Sequence, residues 1–111
     1  MKLDNDTRLR HMLDAAIEAI AFSKELSYQT LPENRMAVLA ILRSLEIIGE
    51  AAAHITLEFQ SSHPEIPWEK ITGMRNRLIH AYFDIDYDTV WSTVERDLPA
   101  LIEQLKKVID D

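Results

Sequence analysis

Apolar residues recur along this chain with a period near 3.6, the spacing that lines one face of a helix. Leu9, Met12, Leu13, Ala16, Ile17 and Ile20 share such a face. Asp4, Asn5 and Asp6 offer N-caps ahead of them, so the pattern predicts a first helix from roughly Asp6 to Leu26. Leu31-Pro32-Glu33 opens a second, since Pro suits a first turn, and the period carries it to about Phe59. From Met36 to Leu42 this helix is apolar nearly all round, which predicts a place at the centre of a bundle or beneath a partner subunit.

Gln60-Ser61-Ser62-His63-Pro64-Glu65-Ile66-Pro67 reads as a loop. A third helix follows from Pro67-Trp68-Glu69, with Ile71, Met74, Leu78 and Ile79 inward, and Phe83-Asp84-Ile85-Asp86 breaks it. Asp86 or Asp88 caps a fourth, whose stripe is Val90, Trp91 and Val94. Pro99 lacks an N–H and must kink or restart that helix, with Asp97 placed to cap the continuation. Leu98, Leu101, Ile102, Leu105, Val108 and Ile109 form the last amphipathic stripe. No strand is predicted. The expected fold is all-α, an up-and-down bundle of four to five helices that dimerises, in a single domain over residues 1–111.

Composition narrows the chemistry. The 111 residues contain no Cys, which rules out disulfides, thiolate metal sites and Cys catalysis. Two Gly and four Pro mark a globular chain, not a disordered one. Met1-Lys2-Leu3-Asp4-Asn5-Asp6 has no apolar run, so no signal peptide is expected, and no apolar stretch nears the ~18 residues that span a bilayer. A cytoplasmic protein is expected. The net charge of −7 argues against a general nucleic-acid coat, because phosphate contacts dominate such affinity. A local basic cleft remains compatible with it: the segment from Lys70 to His80 contains no acidic residue. DNA and membranes are not expected partners.

The segment Arg75-Asn76-Arg77-Leu78-Ile79-His80, followed by Tyr82, holds the candidate chemistry. Arg is a permanent cation that grips phosphate in bidentate fashion. His gives and takes protons near neutral pH. Together they suffice to cleave RNA without a metal, because RNA supplies its own nucleophile in the 2'-hydroxyl. The spacing alone is weak: chance supplies ~0.25 Arg-x4-His pairs in a chain of this composition. On a regular helix, at about 100° per residue, Arg75 and His80 point about 140° apart. For both to meet one phosphate, the helix must end or distort there, or a second copy must supply the other half. Asn76 and His80, four apart, would share a face, as would Arg75 and Tyr82, seven apart.

A second constellation lies on the second helix. Arg43, Glu46, Glu50 and His54 form one polar stripe, which in isolation reads as a solvent face. Gly49 costs a mid-helix position about 1 kcal/mol against Ala, and with Ala51, Ala52 and Ala53 it predicts a close helix crossing. Glu46 or Glu50 could then pair with Arg75 or Arg77 and fix the guanidinium. His11 and His63 read as solvated, and Trp68 and Trp91 as core. No His or carboxylate set has metal-ligand spacing, so neither a metal nor a cofactor is expected.

These segments together are specific. Leu45 to Ala52, Pro64-Glu65-Ile66-Pro67-Trp68, Gly73 to Phe83, Val90-Trp91 and Asp97-Leu98-Pro99 closely resemble the HepT-like toxins of the HEPN superfamily. The likeness covers about residues 9 to 109. The resemblance implies a metal-independent endoribonuclease, the toxin of a toxin–antitoxin pair, acting as a homodimer with Arg75 and His80 as catalytic residues at a shared cleft. It also implies a minimal nucleotidyltransferase antitoxin that attaches AMP to Tyr82, and Asn76 matches the polar residue common after the motif Arg. The rival readings are a non-catalytic nucleotide- or substrate-binding subunit of a minimal nucleotidyltransferase, and a structural dimerisation domain.

Overall fold

The computed structural model describes residues 4–81 and 84–109, and for residues 75, 77 and 79–81 the backbone only. Helix α1 spans Asn5–Ser23. The Asp4 carboxylate accepts from the Thr7 N–H at 2.8 Å and stops the helix fraying at its start. Helix α2 spans Arg35–Ala53, with Asn34 accepting from Ala37 N–H at 3.0 Å as its cap.

The two long helices pack antiparallel. Leu9, Met12, Ala16 and Ala19 of α1 are buried together with Val38, Ile41, Leu45, Ile48 and Ala52 of α2. Each large side chain removed from water here contributes about 1.5–3 kcal/mol. The free ends are tied as well. The Asn5 side-chain amide donates to Thr56 Oγ1 at 3.0 Å and accepts from Thr56 N–H at 3.2 Å, and Arg8 donates to the His54 carbonyl.

Both ends of α2 differ from the sequence pattern. Leu31–Glu33, with its Pro32, is a separate 3-10 turn, and Asn34 restarts the chain as α2. At the other end α2 stops at Ala53, well before Phe59. Thr56 then caps a short helix α3, Leu57–Ser62, by accepting from Phe59 N–H at 3.3 Å. Ile55 tucks into the core through the intervening turn.

Helix α4, Trp68–Thr72, and helix α5, Met74–Leu78, meet at Gly73. A strand β1, Ile79–Ala81, pairs antiparallel with β2, Asp84–Ile85, in the register Ile79 to Ile85 and Ala81 to Asp84. Asp86 N–H closes the ribbon on the Leu78 carbonyl at 2.8 Å. The ribbon departs locally from the strand-free expectation, and the fold class remains all-α.

Asp86 caps helix α6, Tyr87–Ser92, accepting from Thr89 N–H at 3.0 Å. Helix α6 passes through a π-helical turn, Thr93–Asp97, into α7, Leu98–Ile109. The Leu98 N–H reaches the Thr93 carbonyl five residues back. The widened turn accommodates Pro99 without a break. Asp97 accordingly does not cap a new helix, and its carboxylate lies 3.3 Å from Lys70. Among the described residues no helix is long and apolar enough to cross a membrane.

Of the apolar stretch on α2, Val38 and Ile41 are buried, whereas Met36 is 83% and Leu39 47% exposed. The start of α2 is therefore not central within this chain.

Candidate functional site

The motif segment is built where the short helices α4 and α5 pack on α2. Gly49 makes this approach possible. A Cβ placed on it would lie 3.3 Å from the Ile71 carbonyl and 3.8 Å from that of Thr72, so any larger residue would push α4 away. The close crossing expected from Gly49 is present. Ile71, Met74 and Leu78 anchor the segment in the core.

Helix α5 ends at Leu78, between Arg75 and His80. Arg75, Asn76 and Arg77 are helical, and His80 belongs to β1. The divergence of about 140° required either such a break or a second copy; the break is present. The same break removes the warrant for two other expectations. Asn76 and His80 are no longer one helical turn apart, and α5, which holds Arg75, ends at Leu78, so a shared helix face no longer links Arg75 to position 82. The side chains of Arg75, Arg77 and His80 lie outside the described residues, as does Tyr82 entirely. Whether Glu46 or Glu50 meets Arg75 or Arg77 also falls outside them.

Beside this segment lies an open groove of about 810 Å3. Asn76, exposed, and Thr72 form one wall. The second wall is the polar stripe of α2: Arg43, Glu46, Glu50 and His54, with Ile47 and Gly49 between them. The stripe is therefore more than a solvent face. Arg43 donates to Glu46. His54 Nδ1 lies 2.9 Å from the Glu50 carbonyl and 3.7 Å from its carboxylate, which leaves Nε2 clear of both.

Helix α1 supplies the end wall through Arg8 and His11. The pattern gave His11 as solvated. It is exposed, but its exposure is to this groove. Arg8 and His11 lie three apart on the polar face of α1, and only the antiparallel pairing of α1 with α2 brings that face beside His54. His63 is likewise not free in its loop: its ring packs on Phe59 with centroids 4.5 Å apart. Trp68 is buried as expected, and Trp91 is half-buried. Among the described residues no three His, Asp or Glu side chains converge as metal ligands.

The arrangement offers cations, imidazoles and carboxylates along one groove that adjoins a helix-to-strand break carrying Arg75 and His80. Such a groove suits an extended polar ligand more than a compact apolar one.

Comparison with known proteins agrees. The model of the family described as Ribonuclease HepT-like matches residues 12–108. A protein of Methanocaldococcus jannaschii named "putative RNase" is 38% identical over 107 residues, covering 96% of this chain and 98% of that protein. One from Caldanaerobacter subterraneus subsp. tengcongensis with the same designation is 37% identical over 101 residues, 91% of this chain and 90% of its own. The "probable ribonuclease HepT" of Thermococcus cleftensis is 42% identical over 94 residues, covering 84% of this chain and 86% of that protein. No solved structure matches. The family and these names support an RNA-cleaving enzyme, and the chain belongs to the HepT-like ribonuclease family.

Proposed function

We propose that this protein is a metal-independent endoribonuclease and the toxin of a toxin–antitoxin pair, acting in the cytoplasm as a homodimer. The observation that carries the reading is the end of α5 between Arg75 and His80, in a chain of the HepT-like family and beside a polar groove. The break frees the two residues from the helical geometry that would hold them apart.

In the proposed reaction Arg75 binds the scissile phosphate and offsets the charge that develops on it. His80 of one subunit takes the proton of the RNA 2'-hydroxyl as its oxygen attacks phosphorus. The bond from phosphorus to the 5'-oxygen breaks, and His80 of the other subunit protonates that oxygen. The products are a 2',3'-cyclic phosphate and a free 5'-hydroxyl. Asn76, Arg77, Glu46 and Glu50 support the site. The exposed Met36 and Leu39 at the start of α2 give a second copy an apolar surface to cover, continuous along the helix with the groove. A minimal nucleotidyltransferase acts as antitoxin by attaching AMP to Tyr82. That adds bulk and negative charge two residues beyond His80 and competes with RNA for the phosphate-binding Arg75.

The test is cleavage of RNA by the purified protein with divalent ions chelated. His80→Ala and Arg75→Ala should each lower the rate by ~10²–10⁴-fold while the circular dichroism spectrum stays unchanged. Near-wild-type cleavage by His80→Ala would defeat the acid–base assignment. Binding of nucleotide without any cleavage would favour a nucleotide-binding subunit of a minimal nucleotidyltransferase. Co-expressed with that partner, wild type should gain the mass of AMP on Tyr82 and Tyr82→Phe should not. An adduct on Tyr28 or Tyr87 instead would overturn the Tyr82 assignment.

A further inference from the structure

The groove continues beyond Asn76 to the place where α1 begins and α2 ends, and there its charges are unevenly matched. On the α2 wall, Arg43 is paired with Glu46, and His54 stands by Glu50. Arg8 is different. It is half-buried, and its guanidinium donates to the His54 carbonyl. Among the described residues no carboxylate lies within ion-pair distance of it. Its charge does reach Asp4, where it adds to the pull of the Thr7 N–H that holds that carboxyl below its usual range, but Asp4 is occupied in capping α1. A carbonyl is a dipole and leaves the cation's full charge in place. A guanidinium also has five N–H donors, so most of them remain available. His11 follows one turn later on the same wall.

We propose that this end of the groove is a second phosphate subsite, in which Arg8 and His11 hold the phosphodiester of a nucleotide flanking the cut. The proposal rests on the ribonuclease reading above and names its substrate as single-stranded RNA several nucleotides long. A partly desolvated guanidinium with spare donors beside an imidazole matches a phosphodiester oxygen pair. The groove volume of about 810 Å3 falls within the range of sites that enclose a ligand larger than one phosphate. The small residues Ala51 and Ala53 in the lining leave room for a sugar close to α2. With a net charge of −7, affinity cannot come from a broad cationic surface, so a few such local contacts must supply it.

The experiment measures kcat and KM for a dinucleotide and for a single-stranded oligonucleotide of about a dozen residues, across a salt series. Wild type should prefer the longer substrate. Arg8→Gln and His11→Ala should each shrink that preference by about tenfold for Arg8 and less for His11, mainly through KM. Arg8→Gln should also lower the salt slope for the long substrate by ~0.7, the loss of one cationic phosphate contact. Because Arg8 also ties the end of α2, the exposed His11→Ala is the variant least able to act through folding. Anisotropy with an uncleavable 2'-deoxy oligonucleotide reads binding apart from chemistry. An equal loss on both substrates, or no loss on either, would overturn the subsite while leaving the ribonuclease intact. A His11→Ala change in sedimentation without a change in preference would make the groove end a subunit contact and would also overturn it. Failure of wild type to cut either substrate would overturn the ribonuclease reading itself.

Discussion

Replacing Gly49 tests how the motif segment is held. Its backbone lies so close to α4 that a Cβ would sit 3.3 Å from the Ile71 carbonyl oxygen, a fixed backbone atom. Two effects oppose each other in Gly49→Ala. The helix gains about 1 kcal/mol from losing a mid-helix Gly. Against this, α4 must retreat by a few tenths of an ångström. These nearly cancel, so Gly49→Ala should unfold within about 1 kcal/mol of wild type. Gly49→Val adds two further methyl carbons and a β-branched side chain. Overpacking typically costs about 1–3 kcal/mol, and most of the propensity gain is lost. A net loss of about 2 kcal/mol follows, which at an m-value near 2 kcal/mol/M lowers the urea midpoint by about 1 M. The Ile71 carbonyl lies just ahead of the segment that carries Arg75, so RNA cleavage should fall in both variants, and in Gly49→Ala it should fall without a matching loss of stability. Equilibrium unfolding and cleavage kinetics measured on the same preparations check this. A Gly49→Val protein with the wild-type midpoint and wild-type cleavage would refute the idea that this crossing positions the motif.

Three further outcomes are expected. Asp86→Ala removes the cap of α6 and should cost about 1 kcal/mol in urea unfolding, with no effect on the melting midpoint counting against the cap. Leu78→Ala leaves a cavity at a fully buried position on the last turn of α5 and should cost about 2–5 kcal/mol; a loss under 1 kcal/mol would mean the segment is loosely packed. The Tyr28 phenol donates to the Asp88 carboxylate, which raises its pKa above the usual 10.0. A group raised in the folded state contributes fully below its unfolded pKa and loses that contribution as pH rises through the folded value. Wild type should therefore lose stability above pH 10 more steeply than Tyr28→Phe; parallel curves for the two would show that the bond contributes nothing.

Cap and period agree at the first helix, where Asp4 stands ahead of the stripe. The start of α2 reads early, at Leu31-Pro32-Glu33, because Pro32 suits a first turn and masks the Asn34 cap, while the body of α2 was legible from its unbroken stripe. The end of α2 was not, because Ile55 and Phe59 keep the apolar period going across the break that Thr56 caps. The ribbon is too short for alternation to show, and it is fixed by a backbone bond from Asp86 to Leu78. Pro99 announced a disturbance, but not that a π-helical turn would absorb it. At the site, Gly49 and the stripe from Arg43 to His54 could be read because they lie on one helix. Arg8 and His11 could not, since nothing local to α1 says which helix end will stand opposite them.

The ties at the open end of the α1–α2 pair bear on the order of folding. Residues 5 to 56 form a hairpin closed at its far end by the Asn5–Thr56 and Arg8–His54 bonds. Its contacts need only one modest loop closure, from Lys24 to Asn34, whereas the motif segment must dock on helices already formed. The hairpin is therefore the natural nucleus, with φ-values of ~0.5–0.8 expected at Ile41 or Met12 and values near zero at Leu78. A chain emerging from the ribosome would then gain its scaffold before its cutting edge. In the interval between the two, the hairpin stands folded while the motif segment has yet to dock on it.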